Sequence, residues 1–497
     1  MLSQCSAKAG LAKCFFSVTP RTMNTSTLRQ ITDLPGPRGW PIVGNTFQVS
    51  RARIHQDVEA WAKQFGPLFQ MQLGARKLLV ISDPELLAGV MKDRPEGFRR
   101  SPLASQIGRE MGLPMGVFTA EGESWRRQRR MVMASFAPGQ VRAYFPALVK
   151  VTLNLQRRWQ KAAQSGSRIN LQADLMRFTV DAIAGLAFGK EVNTLQAGED
   201  VIQRHLDQIL PTIFKRALSL VPYWRWFKTK KDRQLDDSVA VINTTIRDYV
   251  AQARAGLSQD PSLREKPRNL LEAMIVAADL PGSGVTDAEV AGNVLTMLLA
   301  GEDTTANTLA WMIYLLKANP AALQRLQEEI RSQAPNPALF TMDLMDSLVY
   351  LDACCTETMR LKPVAPFIPL QALRDSVVGD VAVPKDSVVW GVLRHHSVSE
   401  PWFANPAAFQ PEPWLPDAPH PPGNEAKRAS LPFGSGPRMC PGRYLALLEM
   451  KMAMAMLLAS FDIDQVNTPD RLPPQELMAF TMNPVGLSMQ LKEFNAA

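Results

Sequence analysis

The sequence predicts a mainly helical α+β protein, with a small β-sheet region and one long central helix. Three observations carry this. From about residue 84 to 340, apolar residues recur at three- and four-residue spacing, the period of a helix with one buried face. Short strand-like runs stand on either side of that block, at 67–82 and near 365–393. A single helical pattern runs from Thr286 to Asn319-Pro320, roughly 50 Å at about 1.5 Å per residue. A helix of that length crosses a whole domain.

Taken in order, the chain body opens with "DLPGPRGWPIVGN", an extended lead-in set by Pro35, Pro37 and Pro41. "PLFQMQLG" and "KLLVIS" meet around Gly74-Ala75-Arg76, which is a hairpin signal. The central helix begins at a capping box, Thr286-x-x-Glu289, and ends where Pro320 removes a donor. Its middle, "LLAGEDTTANTLAW", places the poor helix formers Gly301, Thr304 and Thr305 beside two acids, Glu302 and Asp303. Met297, Ala300, Gly301, Thr304 and Thr308 share one face. Small Ala300, Gly301 and Thr304 leave room there for a flat ligand, and the Thr304 hydroxyl can bond back to the Ala300 carbonyl. The alternative is an exposed mid-helix patch without function. "DVAVPKDSVVWGV" returns the chain to strand.

Composition excludes several classes. The 497 residues are 46% hydrophobic and 21% charged, an ordinary globular balance without internal repeats or a Gly/Ser linker. The proline-rich stretches 34–41 and 411–423 read as loops, which leaves one domain over 33–497. Five scattered cysteines are no disulfide framework, and no Cys/His group has zinc-ligand spacing. Of the net charge of +8, residues 1–32 hold Lys8, Lys13, Arg21 and Arg29 with no acid, so the body carries only +4. That small excess argues against a nucleic-acid partner. The first 32 residues form a leader, either a transit peptide or a disordered, mis-started stretch with Met23 as the start. No run of 18 apolar residues occurs, so no transmembrane anchor is expected. A cytoplasmic location is expected, or a mitochondrial one if the leader is a transit peptide.

"LPFGSGPRMCPGR", Leu431 to Arg443, presents one cysteine on a stiff loop. Gly434, Gly436 and Gly442 let backbone approach a ligand closely, while Pro437 and Pro441 stiffen the turn. A helix begins just after Cys440, and its N-terminus favours a thiolate. Arg438 and Arg443 add positive charge. Such a loop suits a metal cofactor that carries carboxylates; a buried structural thiol is the plain alternative.

"FGSGPRMCPGR" resembles the haem-binding signature of the cytochrome P-450 superfamily, with Phe433, Gly434, Gly436, Arg438, Cys440 and Gly442 at its fixed positions. Three further motifs follow the family's order. "AGEDTT" resembles the oxygen-activation motif, "ETMR" (Glu357 to Arg360) the Glu-x-x-Arg pair, and "WRRQR" (Trp125 to Arg129) the pattern that contacts a haem propionate. One position departs: the arginine usual after Pro-Glu in "FQPEPW" is Pro413 here, which leaves the Glu357–Arg360 pair without its third partner.

The resemblance implies the cytochrome P-450 fold around haem b, with Cys440 as axial ligand to iron. It implies that Trp125, Arg129, Ala300, Phe433 and Arg438 contact the cofactor, and that Asp303 and Thr304 deliver protons to bound dioxygen, the acid connecting to solvent. The implied activity is a haem-thiolate monooxygenase. It would take two electrons from a partner, a ferredoxin or a flavoprotein reductase, and insert one oxygen atom into a hydrophobic small molecule. A peroxide-using enzyme or a non-oxygenase haem protein on the same fold are the alternatives, and the Asp-Thr pair favours O₂. No nicotinamide or flavin segment is visible, so the donor docks on the cysteine side, over Arg126, Arg127, Arg130, Lys427, Arg428 and Lys451. The loop 101–118, Ala300 and "VAPFIP" are expected to line the substrate pocket. "VPYWRWFKTKK", Val221 to Lys231, reads either as a lid in peripheral membrane contact or as aromatics packed on the body beneath a basic edge.

Overall fold

The expected hairpin forms, with β1 (Leu68–Leu73) and β2 (Arg76–Ile81) antiparallel and Leu73 opposite Arg76. The computed structural model describes residues 28–189, 193–197, 201–400, 402–419, 423, 427 and 429–494. The hairpin joins β3 (Phe98–Arg100), β4 (Phe367–Ala372) and β5 (Val388–Val392) in one sheet of order β1-β2-β5-β4-β3. The β2–β5 pair is parallel, with Leu78 opposite Val388, and the others are antiparallel. Strands from both ends of the chain thus close on one another, and the helical body is inserted between them.

The boundary of the leader is corrected. Arg29–Gln30, assigned to it from sequence, pairs in parallel with Val381–Ala382, and the Arg29 guanidinium holds Asp380 at 2.7 Å. The folded body therefore includes Arg29; the transit-peptide and start-site readings concern residues 1–27, outside the described residues.

The central helix spans Asp287–Ala318, and the Thr286/Glu289 capping box is present with both hydrogen bonds. Glu289 does more than cap. Its carboxylate accepts from Ser124 Oγ at 2.8 Å and Arg127 Nη2 at 2.6 Å, tying the Gly122–Ser135 helix to the start of the central one. Burial pushes this carboxyl up, but the hydrogen bonds from Arg127 and Ser124 win and bring it to about 2.

Over its second half the central helix is covered on all sides, with Leu309, Ala310, Trp311 and Met312 fully buried. Shortening one such side chain to alanine costs about 2–5 kcal/mol. The flat-ligand expectation is corrected at Gly301: a Cβ there would meet Ile183 Cγ1 and Cδ1 at 3.2 Å. The glycine lets the Leu171–Phe188 helix approach and does not open onto a ligand. Thr179 Oγ1 of that helix donates to the Glu302 carbonyl at 3.0 Å, which secures the contact.

Candidate active site

Cys440 sits on a loop whose shape is forced locally. Gly436 has φ +70°, and a Cβ there would lie 2.5 Å from the Met91 carbonyl oxygen, so only glycine closes the turn. The Cys440 N–H donates to the Phe433 carbonyl at 3.0 Å, and the helix Arg443–Ser460 follows. Arg129 Nη2 donates to the Met439 carbonyl at 2.8 Å, which brings its charge to the sulfur. Burial opposes the thiolate that the helix N-terminus favours. Burial pushes Cys440 above the ordinary thiol range, and the Gly442 N–H and the Arg129 charge pull it back only in part. A coordinating metal ion would supply the missing charge, since a bound thiol is deprotonated outright.

Next to this loop lies a cluster of guanidinium groups. Arg438 Nη2 donates to the Ala120 carbonyl at 2.9 Å and pairs with Glu121, while its guanidinium stacks 4.5 Å from the buried Trp125 ring. The backbone N–H of Arg100 donates to the same Glu121, and its guanidinium lies 3.8 Å from the Phe118 ring. Arg94 is buried beside them. Burial first, then mutual repulsion, lowers Arg94 to about 10 and Arg100 to about 9. Nε and Nη2 of Arg94, and Nε of Arg100 and Arg438, are buried without a partner. One carboxylate thus faces three guanidinium groups, a charge imbalance that an anionic ligand with two carboxylates would correct. The residues fit haem, whose two propionates have that chemistry.

Arg94 and Arg100 were missed from sequence, because both lie far from the cysteine motif along the chain and neither belongs to a spaced pattern. The reverse correction applies to Arg443, which is exposed and lies 5.8 Å from the Phe433 ring, outside the cluster. Phe433 itself packs against the main core.

The sequence model of the family described as Cytochrome P450 matches residues 34–491. The chain belongs to the cytochrome P450 family. It is 26% identical over 409 residues to Protein LUTEIN DEFICIENT 5, chloroplastic, of Arabidopsis thaliana, covering 80% of this chain and 67% of the relative. It is 28% identical to the human 25-hydroxyvitamin D-1 alpha hydroxylase, mitochondrial, over 88% of each chain. A self-sufficient cytochrome P450 monooxygenase, CYP505U2 of Exserohilum turcicum (strain 28A), is 28% identical over 93% of this chain and 42% of its own length. Family membership makes this protein a haem-thiolate monooxygenase, using O₂, an electron donor and hydrophobic substrates.

In this P450 the central helix presents Ala300, which is exposed, and Thr304 one turn on. Thr304 Oγ1 donates to the Ala300 carbonyl at 2.8 Å as expected, and Thr308 repeats the bond to Thr304. Asp303 has two protein partners. Its carboxylate accepts from Asn307 Nδ2 at 2.7 Å and from the Thr481 hydroxyl, while the residue stays half-buried. Burial raises this acid, and the two hydrogen bonds oppose the shift. Thr481 comes from the turn between strands Glu476–Met478 and Met482–Pro484. Nothing in its local sequence marks it.

The Glu357–Arg360 pair forms at 2.7 Å with both side chains 2% exposed. Arg360 also donates to the carbonyls of Ser397, Pro406 and Ala408, which satisfies all five of its N–H groups.

The expected basic donor face is largely neutralised. Arg126 pairs with Glu96 and Glu123, and Arg127 with Glu289. Lys451 is 6% exposed, with Asp352 at 3.4 Å and Asp346 at 3.8 Å. Arg428 lies outside the described residues, while Arg130 and Lys427 are exposed.

Proposed function

We propose that this P450 binds haem b at Cys440 and inserts one oxygen atom of O₂ into a hydrophobic organic molecule. The observation that supports this is the half-buried thiol of Cys440 beside an under-neutralised Arg94–Arg100–Arg438 cluster. Haem bound here would supply the iron that activates dioxygen. Arg94, Arg100, Arg129 and Arg438 would hold its propionates through charge-assisted bonds, with Trp125 as the platform beneath Arg438.

The remaining work falls to the central helix. The Thr304 hydroxyl donates its hydrogen bond to the Ala300 carbonyl, so its lone pairs are free to accept a hydrogen bond from a distal proton donor. Asp303, raised by burial, is the acid that supplies protons, and Thr481 and Asn307 fix its rotamer. The substrate lies against Ala300, the 101–118 segment and the strand beginning at Phe367, whose ring stacks 5.0 Å from Trp390. Apolar lining of this kind selects a hydrophobic molecule.

Electrons come from a separate ferredoxin or flavoprotein reductase docking on the cysteine side, where Arg130, Lys427 and Arg443 are exposed. Reversing charge at Arg130 is expected to slow first-electron transfer more than reversal at the already paired Arg126. The buried free thiols Cys354 and Cys355 suit a reducing compartment, the cytosol or the mitochondrial matrix.

The test is direct. Purified protein with haem, a reductase system and O₂ is expected to consume substrate, and peroxide alone is expected to support less. The ferrous carbonyl spectrum is expected to show the thiolate-ligated band, and Cys440→His to lose it. A carbonyl band unchanged in Cys440→His removes the ligand assignment.

A further inference from the structure

The hairpin that carries Thr481 is a minimal one. Strands Glu476–Met478 and Met482–Pro484 pair only with each other among the described residues, with Met478 opposite Met482. A lone two-stranded hairpin is marginal in water and needs outside contacts to keep one shape. Its tip is also strained. The Ala479 N–H donates to the Thr481 carbonyl at 3.0 Å, which leaves Phe480 alone at the bend with φ +100°. A bulky side chain keeps that backbone only where its surroundings enforce it.

Both sides of the tip are occupied. Thr481 is buried and donates to Asp303 Oδ2, while the Phe480 ring lies 6.1 Å from Phe118 of the 101–118 segment. Just behind the tip, the Met482 N–H donates to the Val364 carbonyl at 2.8 Å. The Met482 carbonyl accepts from Trp311 Nε1 at 3.4 Å, on the central helix beyond Asp303.

The base of the hairpin is clamped by charge. Glu476 is buried, and its carboxylate takes four side-chain donors: His55 Nε2 at 2.9 Å, Gln56 Nε2 at 2.8 Å, Lys362 Nζ at 2.6 Å and Arg394 Nη1 at 2.7 Å. Arg394 turns its other edge to Glu59 at 2.8 Å. These partners come from the helix Ile54–Phe65, the end of the Val349–Leu361 helix and the segment after β5, so one acid gathers three parts of the fold. Burial pushes the Glu476 carboxyl up, but the hydrogen bond from His55 and the Arg394 and Lys362 charges win and hold it well below the usual carboxylate range. Buried charge networks of this kind contribute little net stability over well-packed apolar side chains, and their best-attested use is to fix one geometry.

We propose that Glu476 is a positioning residue for proton delivery: clamped by His55, Gln56, Lys362 and Arg394, it holds the strained Phe480 turn so that Thr481 stays on Asp303. This role rests on Asp303 being the acid that supplies protons. Only burial and the hydrogen bonds from Thr481 and Asn307 shift Asp303, and no charged side chain on a packed element contributes. A hairpin that drifts therefore removes one of the two bonds that oppose burial.

The experiment follows the Asp303 carboxyl by infrared difference spectroscopy of the holoenzyme across pH, its band identified by loss in Asp303→Asn. Thr481→Val is expected to move the titration upward, because a lowering hydrogen bond is gone. Glu476→Gln keeps the shape without the charge and is expected to move it the same way. The double variant is expected to go no further than Thr481→Val alone, because one residue acts through the other. The pH profile of product formed per electron is expected to follow the same shifts. Glu59→Gln takes an acid from the same network without touching the hairpin, and is expected to lower the melting temperature with the Asp303 titration in place. Lys362→Met, at a partly exposed position, repeats the test where Glu476→Gln does not fold. A folded Glu476→Gln or Lys362→Met protein with the wild-type titration overturns the proposal. So do additive shifts in the double variant, or a shift in Glu59→Gln equal to that in Glu476→Gln. Infrared shifts as expected, with product per electron unaltered in Asp303→Asn, would instead remove only the reading of Asp303 as the acid.

Discussion

Glu357 and Trp414 are joined by a hydrogen bond of 2.8 Å from the indole Nε1–H to carboxylate Oε2. Where the family resemblance leads one to expect a guanidinium, this chain has Pro413, and the neighbouring indole takes over one acceptor of the buried glutamate. The Gln410 N–H takes another at 2.8 Å, so the network closes without a third charge. Trp414→Phe is expected to lower stability by about 1–3 kcal/mol, the cost of leaving one buried acceptor unpaired. Glu357→Ala strands the Arg360 charge and is expected to cost about 3–5 kcal/mol. Chemical denaturation of the two variants checks the order, and a Trp414→Phe protein as unstable as Glu357→Ala would refute it.

The arginine cluster predicts effects of opposite sign. Arg100→Gln removes one of three repelling buried guanidinium groups, so the haem-free protein is expected to melt at a higher temperature. The same change removes a partner for a propionate, and haem retention is expected to fall by about tenfold, the equivalent of one charge-assisted bond. Calorimetry of the haem-free protein and haem transfer to an apo-globin measure the two separately. A residue of purely structural importance would move both in the same direction.

Asp303 and Thr481 predict a change in pH dependence. Thr481→Val deletes a hydrogen bond that lowers the Asp303 carboxyl, leaving burial less opposed. The apparent pKa of the acid is expected to rise, so the pH profile of product formed per electron shifts toward higher pH. Thr304→Ala is expected to leave that profile in place and divert electrons to peroxide instead. Parallel profiles of product and peroxide, collected for both variants, separate these outcomes.

Glu449 is a buried acid on the helix after Cys440, raised to about 8 by burial, against which a hydrogen bond from Thr305 works only in part. Its folded value lies above its unfolded value near 4.5. The folded state thus binds the proton more tightly, and the stability from the neutral acid is full below about 4.5 and lost as pH rises through about 8. Glu449→Gln keeps the shape without the titration. Its melting temperature relative to the wild type is expected to climb across that window and level off above it.

Local physics was legible in the sequence. Thr286 and Glu289 cap the central helix because a capping box needs only residues three apart, and Gly436 takes its left-handed turn because no other residue tolerates it. Cys440, Arg438 and Trp125 were visible because their spacing along the chain is itself a pattern. What depended on distance through space was not legible. Arg94, Arg100 and Arg438 come together only when the 94–100 segment and the cysteine loop converge, and burial then lowers groups that water would leave alone. The same desolvation raised the Cys440 thiol against the pull of its helix, and ion pairing consumed Arg126, Arg127 and Lys451. Charge and hydrogen-bond balance are sums over neighbours in three dimensions, and a chain shows its neighbours in only one.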